Sequence, residues 1–265
     1  MAMMIHVLDR SRTPGFSEIV LNLYYRFSSV MDAIYQELAD RITELCHAES
    51  ARSSLQLPTT QRRVLIGLAG PPGSGKSTVA VEVARRVEQA HSRLKVAVVS
   101  LDGFHLTLAV LNARPDAKVA LARRGAPWTF DGVAAVQLVQ RLKETFGAQS
   151  VIVPTFDHAA KDPVPKGLVV ENDTQVCIIE GNYVLSDEGA WSAIADMVDD
   201  RWLLQVDPTL ARKRVATRHL QSGIEPTMEL ALARTDYNDM PNGRYVMERS
   251  VGRYDRLVTS LEEHG

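Results

Sequence analysis

Gly70-Pro71-Pro72-Gly73-Ser74-Gly75-Lys76-Ser77-Thr78 constrains this chain more than any other stretch. An apolar run of strand type, Arg63 to Ala69, precedes it; Val79, Val83 and Val87 follow at helical spacing, beside Ala80 and Ala84. Glycines between a strand and a helix, in the spacing G-x-x-x-x-G-K-S, make a phosphate-binding loop. Gly73 and Gly75 let backbone N–H groups turn inward with no Cβ in the way. The helix that follows directs about half a positive charge at whatever the loop holds. Lys76 adds a full charge for β- and γ-phosphates, and Ser77 offers a hydroxyl to Mg²⁺. The competing reading is a Gly-rich turn that binds nothing, and the flanking strand and helix weigh against it.

At 265 residues the chain has room for one large domain or two small ones. A formal net charge of -2 provides no field for nucleic acid or an anionic membrane, so neither is expected as a partner. Cys46 and Cys177 are the only cysteines; they have no metal-ligand spacing and support no disulfide framework. The sequence shows no apolar run of signal-peptide type and none approaching membrane-spanning length. A cytoplasmic location is the default expectation.

Along the chain, residues 1 to about 28 are hard to read: Ile19, Val20, Leu21 and Leu23 are apolar, but Met1 to Gly15 have no clean period. From Ser29, an amphipathic helix over 29–48 is expected, with Val30, Ile34, Leu38, Ile42 and Leu45 on the core-facing side. A linker with Pro58 closes an N-terminal extension of residues 1–60, and the domain proper is read as 61–265. Further apolar strands fall at Val96–Val99, Val151–Val153, Val176–Ile179 and Trp202–Val206, separated by helical segments. Asp131 reads as one N-cap, Pro208 as the first residue of another helix, and a helix is expected around Glu188 to Met197. Trp128, Trp191 and Trp202 read as core. Strands apolar on both faces, alternating with helices, predict a doubly wound α/β fold with a mostly parallel five-stranded sheet and helices on both sides. Ligands in such sheets bind beyond the carboxyl ends of the strands. Gly70, Asp102, Phe156, Glu180 and Asp207 all lie at or past predicted strand ends.

No Asn-Lys-x-Asp guanine-reading motif and no Leu-Ser-Gly-Gly-Gln transporter signature is present. What remains suits phosphoryl transfer, which needs the γ-phosphate held, its charge neutralised and the attacking oxygen aligned. Asp102 is a candidate to accept a proton from a hydroxyl, or to be a Mg²⁺ ligand; the bland alternative is a turn aspartate before Gly103. Glu180 is placed to hold Mg²⁺ with Ser77, or merely to cap. Arg212, Lys213, Arg214 and Arg218 crowd one helix, with Arg214 and Arg218 on a common face. They form either a solvated basic helix or a lid over 209–240 whose arginines close on ATP, with Arg212 beside the nucleotide. Phe104, His105, Arg123, Arg124, Phe156, Asp157, His158 and Tyr183 are candidates to line an acceptor pocket.

Taken together, the loop, Asp102-Gly-Phe-His105, Arg124-Gly-x-Pro-x-Thr-Phe-Asp131, Pro154-x-Phe-Asp157 and Glu180-Gly-Asn-Tyr183 resemble the phosphoribulokinase/uridine kinase family of P-loop kinases, over roughly residues 60 to 260. The resemblance implies a P-loop NTPase fold, ATP and Mg²⁺, and transfer to a hydroxyl of a small metabolite. It also implies Asp102 as base and the helix from Pro208 as the lead into a lid. Uridine kinases usually show Tyr-Asp and a later histidine where Phe156-Asp157-His158 stands. They also show Arg-Asp and Arg-Gly where this chain has Thr217-Arg218 and Ser222-Gly223. In its Asp102-Gly-Phe-His105 and Glu180-Gly-Asn-Tyr183 forms the chain is more similar to pantothenate-kinase-like and fungal uridine-kinase-like branches. Two functions stand at this point: a kinase for a nucleoside-, pantothenate- or sugar-like acceptor, and a regulatory or assembly ATPase that hydrolyses slowly with no acceptor.

Overall fold

The computed structural model describes residues 16–55 and 62–262, with the side chains of 30–52 and 62–262. Met1 to Gly15 and residues 56–61 lie outside the described residues, while Ser50 to Leu55, read as the start of the linker, continue the N-terminal helix. Five parallel strands make the central sheet: β1 (Val64–Ala69), β2 (Val96–Ser100), β5 (Val176–Glu180), β6 (Asp200–Val206) and β7 (Arg256–Ser260), in the order β2-β5-β1-β6-β7. The pairing puts Glu180 level with Leu68 of β1 and Ser100 of β2, at the carboxyl edge.

Two strand expectations are corrected. Val151–Val153 belongs to β3 (Val151–Asp157), which leaves the central sheet and pairs antiparallel with β4 (Asp162–Val170) as a separate two-stranded hairpin. The fifth place in the sheet goes to β7, whose short run Arg-Leu-Val-Thr-Ser buries only Val258 and Ser260 and so carries little apolar signal. β3 has its own tell: Ile152 is exposed between buried Val151 and Val153, the alternation of a strand covered on one face. Pro154 has no N–H to give the ladder, and the β3–β4 register shifts beside it.

The helices cover both faces. Alternate residues of β1 divide the core: Leu65 and Ala69 face one apolar cluster, while Val64, Ile66 and Leu68 face the other. The first cluster includes Leu138, Val139 and Leu142 of α5 (Gly132–Glu144). The second includes Val79, Val83 and Val87 of α2 (Lys76–Ala90), and Met31, Tyr35, Leu38 and Ile42 of α1 (Phe16–Leu55). Thus α1 is longer than the helix expected from Ser29, and its buried face is rotated by about one residue. Leu38 and Ile42 are buried as expected and Met31, Tyr35, Ala39 and Cys46 join them, whereas Val30 is exposed. A stripe containing Tyr, Ala and Cys is less apolar by composition than one read from Val and Ile, which is why the neighbouring stripe looked stronger.

Two short helices, α3 (Leu108–Asn112) and α4 (Ala117–Ala122), follow β2. Asp131 caps α5 by accepting from the Ala134 N–H at 2.9 Å. Residues 188–197 hold only a 3-10 turn, Gly189–Ala193. Trp191 and Trp202 are buried as expected, but Trp128 is exposed, with the Arg114 guanidinium 5.3 Å from its ring centre. After β6 come α6 (Pro208–Gln221), α7 (Met228–Arg234) and α8 (Met240–Arg249), the last two joined by a π turn at Thr235–Asp239. Among the described residues no helix is long and apolar enough to cross a membrane.

Candidate active site

The loop between β1 and α2 is held open by its own backbone. Gly73 has φ 80°, and a Cβ there would lie 2.7 Å from the Ala211 carbonyl oxygen, so only glycine lets the loop pack this closely on α6. Lys76 folds its ammonium onto the carbonyl oxygens of Gly70 at 2.9 Å and Pro71 at 3.3 Å, and onto Asn182 Oδ1 at 2.9 Å. Burial lowers its pKa, the Glu180 and Asp102 carboxylates oppose that, and the Arg218 charge lowers it further. Ser77 donates its hydroxyl to Glu180 Oε1 at 3.1 Å. Burial raises the Glu180 pKa, with the Asp102 charge adding to it; Lys76 and the hydroxyls of Ser100 and Ser77 pull the other way. The end of β1, the start of α2, the end of β5 and the turn after β2 thus meet at one point.

Asp102 lies in the 3-10 turn Leu101–Phe104, capped by Ser100. That turn is pressed against β3: a Cβ on Gly103 would sit 2.1 Å from the Pro154 carbonyl oxygen. The close approach brings the β3–β4 hairpin to the site although it is not part of the central sheet. The His105 ring lies 3.9 Å from Phe130 and 4.8 Å from Phe156, centre to centre. His105 Nδ1 is 2.8 Å from the Asp102 carbonyl oxygen. A carbonyl only accepts, so Nδ1 carries the proton and Nε2 presents a lone pair. Burial lowers the His105 pKa, which favours this neutral form.

The remaining pocket candidates divide into two groups. Arg124 donates to the carbonyls of Lys161 and Leu106 and pairs with Asp162 at 3.0 Å, its guanidinium 5.4 Å from the Phe156 ring centre. Arg123 donates to the Tyr237 carbonyl and to Asn242 Oδ1. Tyr183 donates its hydroxyl to the Gly125 carbonyl at 2.5 Å and packs edge-on to Phe130. These three bind the Arg123–Gly125 segment into place. Phe156 and His158, by contrast, stand at the hairpin tip with rings 5.3 Å apart. Asp157 is exposed and accepts from the Ala159 and Ala160 N–H groups, and these bonds, Ala160 first, lower its pKa. It shapes the hairpin turn.

On α6, Arg214 donates to the carbonyls of Gly73 and Leu261 and to Ser260 Oγ. Arg212 points elsewhere, in a two-bond pair with exposed Asp236. Residues not singled out from the sequence complete the site: Asn182 on Lys76, Ser100 by Glu180, and Asn238, which donates to the Arg124 carbonyl at 2.7 Å. Asn182 lies within the Glu-Gly-Asn-Tyr stretch, so its neighbours pointed to it; nothing in the sequence pointed to Asn238.

Among the described residues no cluster of three or more His, Cys, Asp or Glu side chains forms a self-sufficient metal cage. Ser77 and Glu180 instead present hard oxygens side by side, with the Asp102 charge near. This donor set suits Mg²⁺, which keeps phosphate oxygens and waters among its ligands.

A parallel sheet in this order, a Gly-rich loop at its carboxyl edge and carboxylates facing the loop lysine define a P-loop kinase fold. The profile of the Phosphoribulokinase / Uridine kinase family matches residues 65–213. The chain is 41% identical over 198 residues to the Schizosaccharomyces pombe protein named "Putative uridine kinase C227.14", spanning 75% of this chain and 84% of that one. It is similar to the solved structure of a "putative fructose transport system kinase" from Silicibacter sp. TM1040, with TM-score 0.67 and 31% identity over 80% of this chain and 98% of the other. YFH7 from Saccharomyces cerevisiae, described as circularly permuted, shares the fold with TM-score 0.71 at 23% identity, over 87% of this chain and 99% of its own. The chain belongs to the phosphoribulokinase/uridine kinase family.

Proposed function

We propose that this protein transfers the γ-phosphate of ATP to a hydroxyl group of a small polar metabolite. The observation that carries the reading is the meeting of Lys76, Ser77, Glu180 and Asp102 at one sheet edge, opposite the His105–Phe130–Phe156 wall. Lys76 exchanges its loop carbonyls for β- and γ-phosphate oxygens. Ser77 and Glu180 would hold Mg²⁺, which would supply charge neutralisation at those oxygens. The acceptor oxygen bonds to the γ-phosphorus as the bond to the ADP oxygen breaks, and the hydroxyl proton passes to Asp102. In a loose transition state that transfer is late, so an ordinary carboxylate suffices. His105 Nε2 accepts a hydrogen bond from the acceptor, and Phe156 gives it a flat apolar wall. Arg218 stabilises charge on the transferring group, an interaction worth about 4 kcal/mol at 4 Å and an effective dielectric near 20.

The acceptor is nucleoside-, pantothenate- or sugar-like, and the names of the two relatives fall within that range. The test is ADP release with nucleosides, pantothenate, sugars and glycerate in turn, with the product identified by mass. One of them is expected to gain the mass of a phosphoryl group while ADP release rises. ADP release at one rate whatever is added, with no phosphorylated product, would establish the acceptor-free ATPase instead.

A further inference from the structure

The π turn between α7 and α8 makes bonds to both halves of the site. Thr235 and Asn238 within it and Asn242 just after it are buried, and so is His219 of α6. Burying polar groups costs stability unless they find partners, and π turns are rare and concentrate at functional sites. The partners here lie on two elements. Asp239 Oδ2 is 2.9 Å from His219 Nε2, and Asp236 takes two bonds from Arg212, so these two residues hold the turn to α6. A carboxylate only accepts, so His219 Nε2 is the donor to Asp239. Asn238 donates to the Arg124 carbonyl at 2.7 Å, and the Tyr237 carbonyl accepts from Arg123 at 2.9 Å. Arg123 also donates to Asn242 Oδ1 at 3.2 Å. Residues 236 to 239 thus join α6 to the segment Arg123–Gly125.

Building on the kinase reading, we propose that Asn238 and Asp239 are positioning residues: through them α6 places the Arg123–Gly125 segment, so that the acceptor pocket is set once Mg·ATP is bound. The Arg218 charge reaches Lys76, and α6 packs on the phosphate loop at Gly73. A triphosphate on Lys76 gives Arg218 an anionic partner and holds α6 to the loop. His219 follows Arg218 in the chain and moves with it. Asp239 is carried by His219, and its neighbour Asn238 carries the Arg124 carbonyl. The Arg124 guanidinium in turn pairs with Asp162 and lies 5.4 Å from the Phe156 ring centre, at the acceptor wall. His219 Nδ1 and Arg124 Nε, one at each end of this path, are buried with no hydrogen-bond partner among the described residues. The network therefore has bonds left to make when α6 moves. The coupling is reciprocal, as any linkage of two binding events is, so a bound acceptor tightens Mg·ATP by the same factor.

Amide hydrogen exchange tests this without an acceptor. It is read by mass spectrometry on the full chain, with and without Mg²⁺ and the non-hydrolysed analogue AMP-PNP. The N–H groups of Arg123, Gly125 and Ala126 are all hydrogen-bonded, so their exchange reports opening of the segment. In the parent chain the analogue should slow exchange in the phosphate loop, and at Arg123–Ala126 by about fivefold or more, the low end of coupling between sites. In Asn238→Ala and in Asp239→Ala the loop should still respond, while the slowing at Arg123–Ala126 falls below about twofold. Asp239→Asn keeps an acceptor for His219 Nε2 and should restore it. Tyr183→Phe is the control for a merely structural role: it frees the Gly125 carbonyl and should raise exchange with and without the analogue alike, leaving their ratio unchanged. If Asn238→Ala does not fold, Asn238→Leu removes the donor at similar volume. A parent-like ratio in the alanine variants, no restoration by Asp239→Asn, or a parent chain protected in the loop but not at Arg123–Ala126 would overturn the proposal and leave the kinase reading standing. If the analogue slows exchange nowhere, the nucleotide reading itself fails, and this inference with it.

Discussion

Lys76 is an ammonium sunk among two backbone carbonyls and the Asn182 amide oxygen, all acceptors that phosphate oxygens can replace. Lys76→Ala should cut phosphoryl transfer by ~10²-fold or more, the usual cost of one preorganised charge donor, measured as product formed at saturating acceptor. Asp102 calls for a paired measurement, because base and metal ligand are both open to it. Asp102→Asn keeps the shape and removes the charge. It should bind Mg·ATP within a few-fold of the parent and lose transfer by ~10²-fold or more. Recovery of activity at high Mg²⁺ would make Asp102 a metal ligand and leave the base to be found elsewhere. The thiols report burial instead. Burial pushes the Cys46 thiol up to about 11 and the Cys177 thiol up to about 12. Only thiolate is nucleophilic, so neither should react with iodoacetamide at pH 8 until the chain unfolds. Mass spectrometry with and without denaturant reads this directly, and fast labelling of the native protein would contradict the packing of α1 and β5.

At the scale of elements, α6 does two jobs. Its Arg214 is tied to the loop and the end of β7, whereas the charge of Arg218 reaches Lys76. Arg218→Gln is therefore expected to lower kcat by about tenfold or more with KM for ATP little changed, because the arginine acts chiefly on the transition state. Arg214→Gln should chiefly raise KM for ATP. Equal effects of the two variants on both constants would mean that the helix does not divide its arginines in this way. The π turn after α7 is the other informative element. Pro241 has no N–H to give the helix, and the chain re-registers just before it. That turn brings Asn238 to the Arg124 carbonyl, and so fixes the segment that Tyr183 also holds through the Gly125 carbonyl.

Across the whole molecule, α1 is joined to the sheet by charge as well as by apolar packing. Asp200 is buried and accepts from Trp202 Nε1 at 2.9 Å and from Arg41 Nε at 3.1 Å; Arg62 pairs with Glu49 of α1 and with Asp199. Arg41→Ala leaves the Asp200 carboxylate with one neutral donor and should lower stability by about 2 kcal/mol, read from urea denaturation. Removing residues 1–60 exposes Ile66, Leu68, Val83 and Trp202, which α1 helps to cover. The shortened chain should therefore lose its cooperative thermal transition, and a sharp transition near that of the full chain would show that 61–265 folds alone.

The phosphate loop, the carboxylates Asp102 and Glu180, the cap Asp131 and four of the five sheet strands were legible because each depends on local chemistry: backbone freedom at glycine, a side chain capping its own helix, an apolar run of strand length. The sequence by itself therefore determined the phosphate-binding edge and the α/β architecture. Tertiary structure alone decided that β3 leaves the sheet and β7 completes it. Strand pairing rewards contacts between residues far apart in the chain, which no local pattern carries. It alone also decided the burial of Met31, Tyr35 and Cys46 on α1 beside the expected Leu38 and Ile42, the docking of Asn238 on Arg124 and the parting of Arg212 from Arg214. A charged or polar side chain has many reachable partners, and only the folded chain, by burying some and leaving others in water, selects among them.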